Sequence, residues 1–259
     1  MRACSRGFTL MEIVVVILLL GVLGIYTTQF IGSGTRMYAD VAAREQLMND
    51  VRFGVERLNR EVRDAIPGTL QVTSAPACIR FWPIKAASRY LQLPGSAAGS
   101  TMVAFIPALA EQQVAPGDLA LVFPQGLDPA TAPYACSHGN CVLQVASVTS
   151  AAPLQSIQLQ AQSGLTGTQF ATPSPGQRVY YADRRVSFCQ QGSQLIRQEQ
   201  LLASSATESN IMAEALQSAS FSMESGAFNS NGEVLVRLLF SRRDEAVQFS
   251  HLLEVDNVP

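Results

Sequence analysis

Five cysteines, two histidines and one acid set inside an apolar run are the residues of this 259-residue chain whose types and spacing could do chemistry. Cys136-Ser-His-Gly-Asn-Cys141 brings two thiols and His138 within six residues, enough to begin a metal site or to close a local disulfide. A tetrahedral metal site needs a fourth ligand, and no second Cys or His cluster stands beside this loop. With Cys4 in the extreme N-terminal segment, the body holds an even set, Cys78, Cys136, Cys141 and Cys189, as two disulfides in an oxidising compartment such as the bacterial periplasm require. The short loop invites a bridge between Cys136 and Cys141, which leaves Cys78 with Cys189, although four cysteines allow three pairings.

The acid is Glu12. It lies near the start of an apolar block from Phe8 to Ile31, 24 residues that at ~1.5 Å each could cross the ~30 Å hydrocarbon layer with some tilt. A carboxylate in such a segment is costly and calls for a positive partner. Arg2 and Arg6 precede the block and stay on the cytoplasmic side, so the rest of the chain is expected outside, N-in and C-out. An ordinary secretory signal has a shorter apolar core that closes on a small-residue cleavage site.

Other chemistry is poorly provided for. The sequence has no G-x-S-x-G elbow, H-E-x-x-H pair, phosphate loop or dinucleotide glycine fingerprint. His138 and His251 are its only histidines, and His251 reads as a packed or surface side chain. Asp183 beside Arg184 and Arg185 reads as a surface turn, with no second carboxylate to form an acid/base pair. Trp82, Tyr180 and Tyr181 could form a sugar- or protein-binding face, but core packing is the simpler use. A net charge of -2 with 15% charged residues offers no broad basic surface for nucleic acid. The expectation is a non-enzymatic protein with no cofactor, no metal and no nucleic-acid partner.

Positioning these residues falls to two kinds of element. Met37, Val41, Met48, Val51, Val55, Leu58, Val62 and Ile66 recur at helical spacing and form one apolar stripe, expected to pack on a sheet. The pairs Asp40/Arg44, Glu56/Arg60 and Arg57/Glu61 suit a solvated face. Pro67-Gly68 ends the pattern, which predicts a nearly continuous helix from Phe8 to Ile66. Gly21, Gly24, Gly32 and Gly34 could bend that helix or admit a close neighbour, and no proline interrupts it. Strands are expected near 70–73, 78–82, 102–106, 119–123, 142–148, 154–160, 178–182, 186–190, 194–198, 218–224, 234–241 and 247–255. Gln191-Gly192-Ser193 is expected to turn a hairpin, and 95–100 and 162–177 read as loops. The organisation is α+β: a leader at 1–7, a membrane-spanning helix at 8–31, its amphipathic continuation at 32–66, and a β-rich head at 67–259.

Gly7-Phe8-Thr9-Leu10-Met11-Glu12 followed by an apolar helix resembles the prepilin cleavage and methylation signature of type IV pilins, minor pilins and type II secretion pseudopilins. The resemblance implies that a prepilin peptidase cuts between Gly7 and Phe8 and methylates the new amino group of Phe8. Glu12 then becomes the fifth mature residue, whose carboxylate neutralises the terminal amine of a neighbouring subunit. Loss of Arg2 and Arg6 takes the side-chain charge from -2 to -4. The implied partners are other minor and major pilins, an inner-membrane assembly platform and membrane lipid, with the head in the periplasm or, after assembly, at the cell surface. In the head, the segment Arg178 to Arg197, with its Gly-x-x-Leu-x-Arg ending, resembles J-type pseudopilins and large minor pilins. Together with Cys78-Ile-Arg-Phe-Trp-Pro-Ile-Lys85 and Ala86-Ala-Ser-Arg-Tyr-Leu91 it is most similar to the O-type minor pilins of mannose-sensitive haemagglutinin (MSHA) pilus biogenesis. That similarity implies a priming or tip complex of an MSHA-like pilus. The competing expectations are a J-type pseudopilin and, in another class, a membrane-tethered periplasmic binding or adhesin protein that never polymerises.

Overall fold

The computed structural model describes residues 9–95, 99–108, 112–125, 127, 135–136, 139–162, 167–202, 204, 206–224, 233–242 and 245–255. The leader at 1–7, Phe8, His138 and parts of both expected loops lie outside the described residues. The chain forms two units, Met1–Asn49 and Asp50–Pro259, and one helix, α1 (Leu10–Arg63), runs through both. One long apolar helix followed by many antiparallel strands gives the α+β, pilin-like plan.

Local chemistry sets the ends of α1. Thr9 caps its start: the Glu12 N–H donates to Thr9 Oγ1 at 3.3 Å and to the Thr9 carbonyl at 3.1 Å. At the other end Arg60 and Arg63 stand in the last turn, where cations suit the exposed carbonyls. The helix stops three residues before Ile66 because the next backbone groups turn to a strand connection. The Ile66 N–H donates to Trp82 O at 2.8 Å, and Asp64 O accepts from the Ile84 N–H at 2.9 Å.

A five-stranded antiparallel sheet has the order β1-β2-β11-β12-β13, with β1 (Gln71–Ser74), β2 (Ala77–Phe81), β11 (Arg184–Gln191), β12 (Gln194–Leu201) and β13 (Thr207–Ala213). Register puts Ile79 opposite Phe188, Phe81 opposite Val186 and Phe188 opposite Arg197. These residues therefore share one face, and Arg197 reaches from it to Glu61 on α1. The lower part of the apolar stripe is buried as expected, with Val51, Leu58, Val62 and Ile66 all fully enclosed. Higher up, Met37 and Val41 are exposed. Gly54 provides the close approach: a Cβ there would lie 3.1 Å from the Met212 carbonyl of β13.

Six further strands close into a barrel, β10-β3-β4-β9-β8-β5. They are β3 (Ala86–Gln92), β4 (Thr101–Phe105), β5 (Leu119–Leu121), β8 (Val142–Ala151), β9 (Leu154–Gln160) and β10 (Arg178–Ala182). Alternation along β10 divides its side chains: Val179 and Tyr181 fill the barrel, while Tyr180 and Ala182 join Ile66 and Trp82 in a second core outside it. The Tyr and Trp rings named as a possible binding face are thus core. β6 (Ala135–Cys136) and β7 (Gly139–Asn140) form a small ribbon, and β14 (Leu216–Glu224), β15 (Glu233–Arg242) and β16 (Glu245–Glu254) form a third sheet. β14 lies beside β1 and β2.

Two disulfides join Cys78 to Cys189 and Cys136 to Cys141. The first links directly opposed residues of β2 and β11, on the face turned away from α1. β3 and β13 have no counterpart among the expected strands. β3 buries only Ala86 and Tyr90, and β13 is exposed over its first five residues, so neither shows clean alternation.

The Pro67-Gly68 turn is held by the glycine. Gly68 has φ +81°, and a Cβ would lie 2.0 Å from the Pro124 carbonyl oxygen. Gly192, in the two-residue β11–β12 turn, has φ +59° with open space around it. Gly68→Ala is expected to lower unfolding free energy by about 3 kcal/mol or more, and Gly192→Ala by about 1 kcal/mol. Denaturant unfolding of detergent-solubilised protein, followed by Trp82 fluorescence, measures both; equal losses would remove the Pro124 contact as the constraint.

Candidate functional site: an apolar helix and its anchorage

Every residue from Thr9 to Ala42 is exposed, although the first half of this stretch is almost wholly apolar. α1 is long and apolar enough to cross a membrane. Its serine and threonine hydroxyls are satisfied within the helix: Thr27 Oγ1 donates to Leu23 O at 2.6 Å, Thr28 to Gly24 O, Ser33 to Phe30 O at 2.9 Å and Thr35 to Gly32 O at 3.0 Å. Such back-bonding suits a helix in lipid, where no water can take those donors. A Cβ at Gly21, Gly24, Gly32 or Gly34 would meet nothing within 4 Å, so these positions are open to a neighbour. The helix does not break at any of them. Glu12 is exposed at the third position of the first turn, where the helix dipole favours an acid. Its carboxylate makes no hydrogen bond or ion pair among the described residues. Thr9, not singled out by the sequence reading, is legible in retrospect, because Thr9-Leu10-Met11-Glu12 has the spacing of a capping box.

Within the second unit, the end of α1 is tied to the sheet and barrel by charges of alternating sign. Arg57 Nε meets Glu61 Oε1 at 2.8 Å, and Arg197 Nε donates to both Glu61 oxygens at 2.9 Å. Arg197 Nη2 meets Glu199 Oε2 at 2.7 Å, and Arg184 Nη1 meets Glu199 Oε1 at 3.2 Å. Arg184 continues to Asp183 at 3.7 Å, Asp183 to Lys85 at 4.0 Å, and Lys85 to Asp118 at 2.8 Å. Arg57, Glu61, Asp64, Arg184, Arg197 and Glu199 also line a polar cleft of about 630 Å³. Two members of the chain are well enclosed: the Arg197 side chain is 8% exposed and that of Asp118, at the far end, 6%.

Burial and pairing compete along this chain. For Glu199, burial works against its charge, but the Arg197 hydrogen bond and the Arg184 charge prevail and hold the carboxyl below its usual range. For Arg197, burial is likewise outweighed, by Glu199 and Glu61, and the guanidinium is held above its ordinary value. Asp118 goes the other way: burial raises it despite hydrogen bonds from Lys85 and the Ala115 N–H. Burial also pushes the Tyr181 hydroxyl up, with the Asp118 charge adding to the effect. The arrangement is that of a structural clamp. Glu61 was expected on a solvated face, yet its side chain is only 16% exposed because Arg197 draws it onto the sheet.

Comparison with known proteins bears on the N-terminus. A family model described as the prokaryotic N-terminal methylation motif matches residues 2–26. The chain carries that motif. It points to a type IV pilin-like or pseudopilin protein and implies processing by a prepilin peptidase and assembly with other pilins. No curated protein and no solved structure matches the chain.

With the methylation motif placed, the remaining candidates sort by geometry. Gly7 and Phe8 lie outside the described residues, and Glu12 stands in the first turn of the helix that follows them. Cys136 and Cys141 are spent on a disulfide and have no thiolate to offer a metal. Asp183 is a member of the charge chain, and His251 is exposed on β16. The Gly-x-x-Leu-x-Arg ending acquires physical roles: Gly192 makes the turn, Leu195 enters the core and Arg197 clamps α1. Lys85 and Asp118 were missed, since nothing local marks two residues 33 apart as a pair.

Arg197→Ala leaves Glu61 and Glu199 without their shared cation and should cost about 3 kcal/mol of stability. The stabilising share of Glu199 is full above its ordinary value of 4.5 and is lost as pH falls through its lower folded value. The deficit of Glu199→Gln relative to the parent should therefore be full near neutrality and close below about pH 4 in denaturant unfolding at stepped pH; a deficit constant across that range would exclude the pairing. By loop length, 111 residues against 5, removing Cys78–Cys189 should cost about 5 kcal/mol and removing Cys136–Cys141 about 2 kcal/mol. Paired Cys→Ala variants measured by the same unfolding test that order.

Proposed function

We propose that this protein is a minor pilin that assembles through its N-terminal helix into an MSHA-like type IV pilus, within a priming or tip complex. In this reading prepilin peptidase cuts between Gly7 and Phe8 and methylates the amino group of Phe8. The helix rests in the inner membrane with its start at the cytoplasmic face, and the disulfide-bonded head lies in the periplasm. The assembly platform then draws the subunit out among other minor and major pilins.

The observation that carries the reading is the methylation motif over residues 2–26 joined to a carboxylate, Glu12, that has no partner among the described residues. Both the ammonium exposed by cleavage and the Glu12 carboxylate bear a large desolvation cost in lipid. Brought together from two subunits, they neutralise each other in a medium where their attraction is strong. The open glycine positions of α1 allow helices to approach closely enough for that meeting. Support for a large minor pilin rather than a shaft subunit comes from the size of the head and from the Gly192 to Arg197 ending.

Glu12→Ala should leave membrane insertion intact and abolish recovery of the subunit in crosslinked complexes with other pilins, while Glu12→Asp retains part of it. Mass spectrometry of the native protein should find Met1 to Gly7 removed and one methyl group on Phe8. Full incorporation of Glu12→Ala, or a native protein that keeps its leader, would overturn the proposal. Neighbouring genes for a secretion apparatus in place of a pilus would redirect it to a J-type pseudopilin.

A further inference from the structure

The apolar layer of the C-terminal sheet is unfinished at its last strand. On β15, Val234, Val236, Leu238 and Phe240 are each at most 3% exposed. Register sets them opposite Leu253, His251, Phe249 and Val247 of β16. Leu253 is buried, and Phe249 meets Phe240 edge to face with ring centroids 6.2 Å apart. Val247 and Phe249 are only partly covered, however, and His251 is exposed. On the other face Leu252 is 44% exposed.

The ladder of β16 is unfinished too. Among the described residues β16 pairs with β15 alone, so from Ala246 to Glu254 no second strand joins its outer edge. The strand runs ten residues without a bulge and contains neither proline nor lysine. Long, regular edges of this kind are where another strand adds, and proteins ordinarily blunt them.

Charge identifies the kind of partner. Glu254 is directly opposite Glu233, which is in turn opposite Glu224, so three acids fall in one row at this end of the sheet. Like charges placed so repel and favour a cation beside them. Directly beside Glu254, a second copy of the chain sets another acid. Pairing of two β16 strands over their full length sets Glu254 against Glu245 when antiparallel and Glu254 against Glu254 when parallel.

We propose that β16 is a docking edge for an extended segment of a different protein, with β-branched or aromatic residues that complete the cover of Val247 and Phe249 and a lysine or arginine beside Glu254. The surface belongs to the second unit and acts independently of Glu12. Hydrogen exchange on the full-length protein in detergent tests it, with a ten-residue peptide of alternating threonine and valine bearing arginine at both ends and a counterpart bearing glutamate. The arginine-ended peptide should slow exchange of the β16 amides by about tenfold, a 1.4 kcal/mol effect, and leave β1 and β13 unchanged. The glutamate-ended peptide should not, and Glu254→Arg, which also relieves Glu233, should reverse the preference while Trp82-monitored unfolding shows the fold retained. Protection by neither peptide, equal protection by both, or protection at β1 or β13 instead would overturn the proposal. So would sedimentation of a peptide-free dimer whose β16 amides are already protected.

Discussion

An apolar helix that its own chain leaves uncovered is the constraint from which the rest of this structure follows. From Thr9 to Ala42 no residue is buried, and burying such a surface is worth roughly 25 cal/mol per Å², a force that must be met by lipid or by other helices. The polar atoms of the segment are arranged accordingly. Its serine and threonine hydroxyls are turned onto the helix's own carbonyls, Thr9 satisfies the first turn, and the Glu12 carboxylate has no partner among the described residues. That surplus charge gives an otherwise uniform apolar rod a specific requirement for a cation.

The second unit solves a different problem, which is to hold the end of that helix firmly. It uses a glycine for close approach at Gly54, a row of enclosed aliphatic side chains from Val51 to Ile66, and a guanidinium that reaches across from β12. Arg197 is suited to the task because its planar fork can serve Glu61 and Glu199 together, which an ammonium could not do with the same geometry. The Cys78–Cys189 bridge locks the two strands beneath on their far side. Hydrophobic burial provides the adhesion, and the charge chain fixes the orientation.

Elements with a strong period were legible in the sequence. The helix, its stop near Pro67-Gly68, the alternation of β9 and the Gly192 hairpin each depend on neighbours a few residues apart, and each stands within a few residues of where the pattern places it. β3 and β13 escaped because a strand that buries two residues in seven has no period to read. The barrel escaped for another reason: its interior is filled partly by alanine, methionine and single tyrosines, whose types do not announce a closed sheet. Closure depends on β10 pairing with both β3 and β5, a relation between distant segments.

The same division holds for the functional residues. Sequence by itself determined that the N-terminus carries a methylation motif, that an acid stands in an apolar run, and that the strands alternate with turns, because all of these are properties of adjacent residues. Only the tertiary structure decided that Arg197 would meet Glu61 across 136 positions, that Lys85 would find Asp118, and that β16 would be left as an edge. The physical reason is that helical caps, turns and periodic faces are local consequences of backbone geometry, whereas charge neutralisation and strand pairing depend on which surfaces remain once the core has closed.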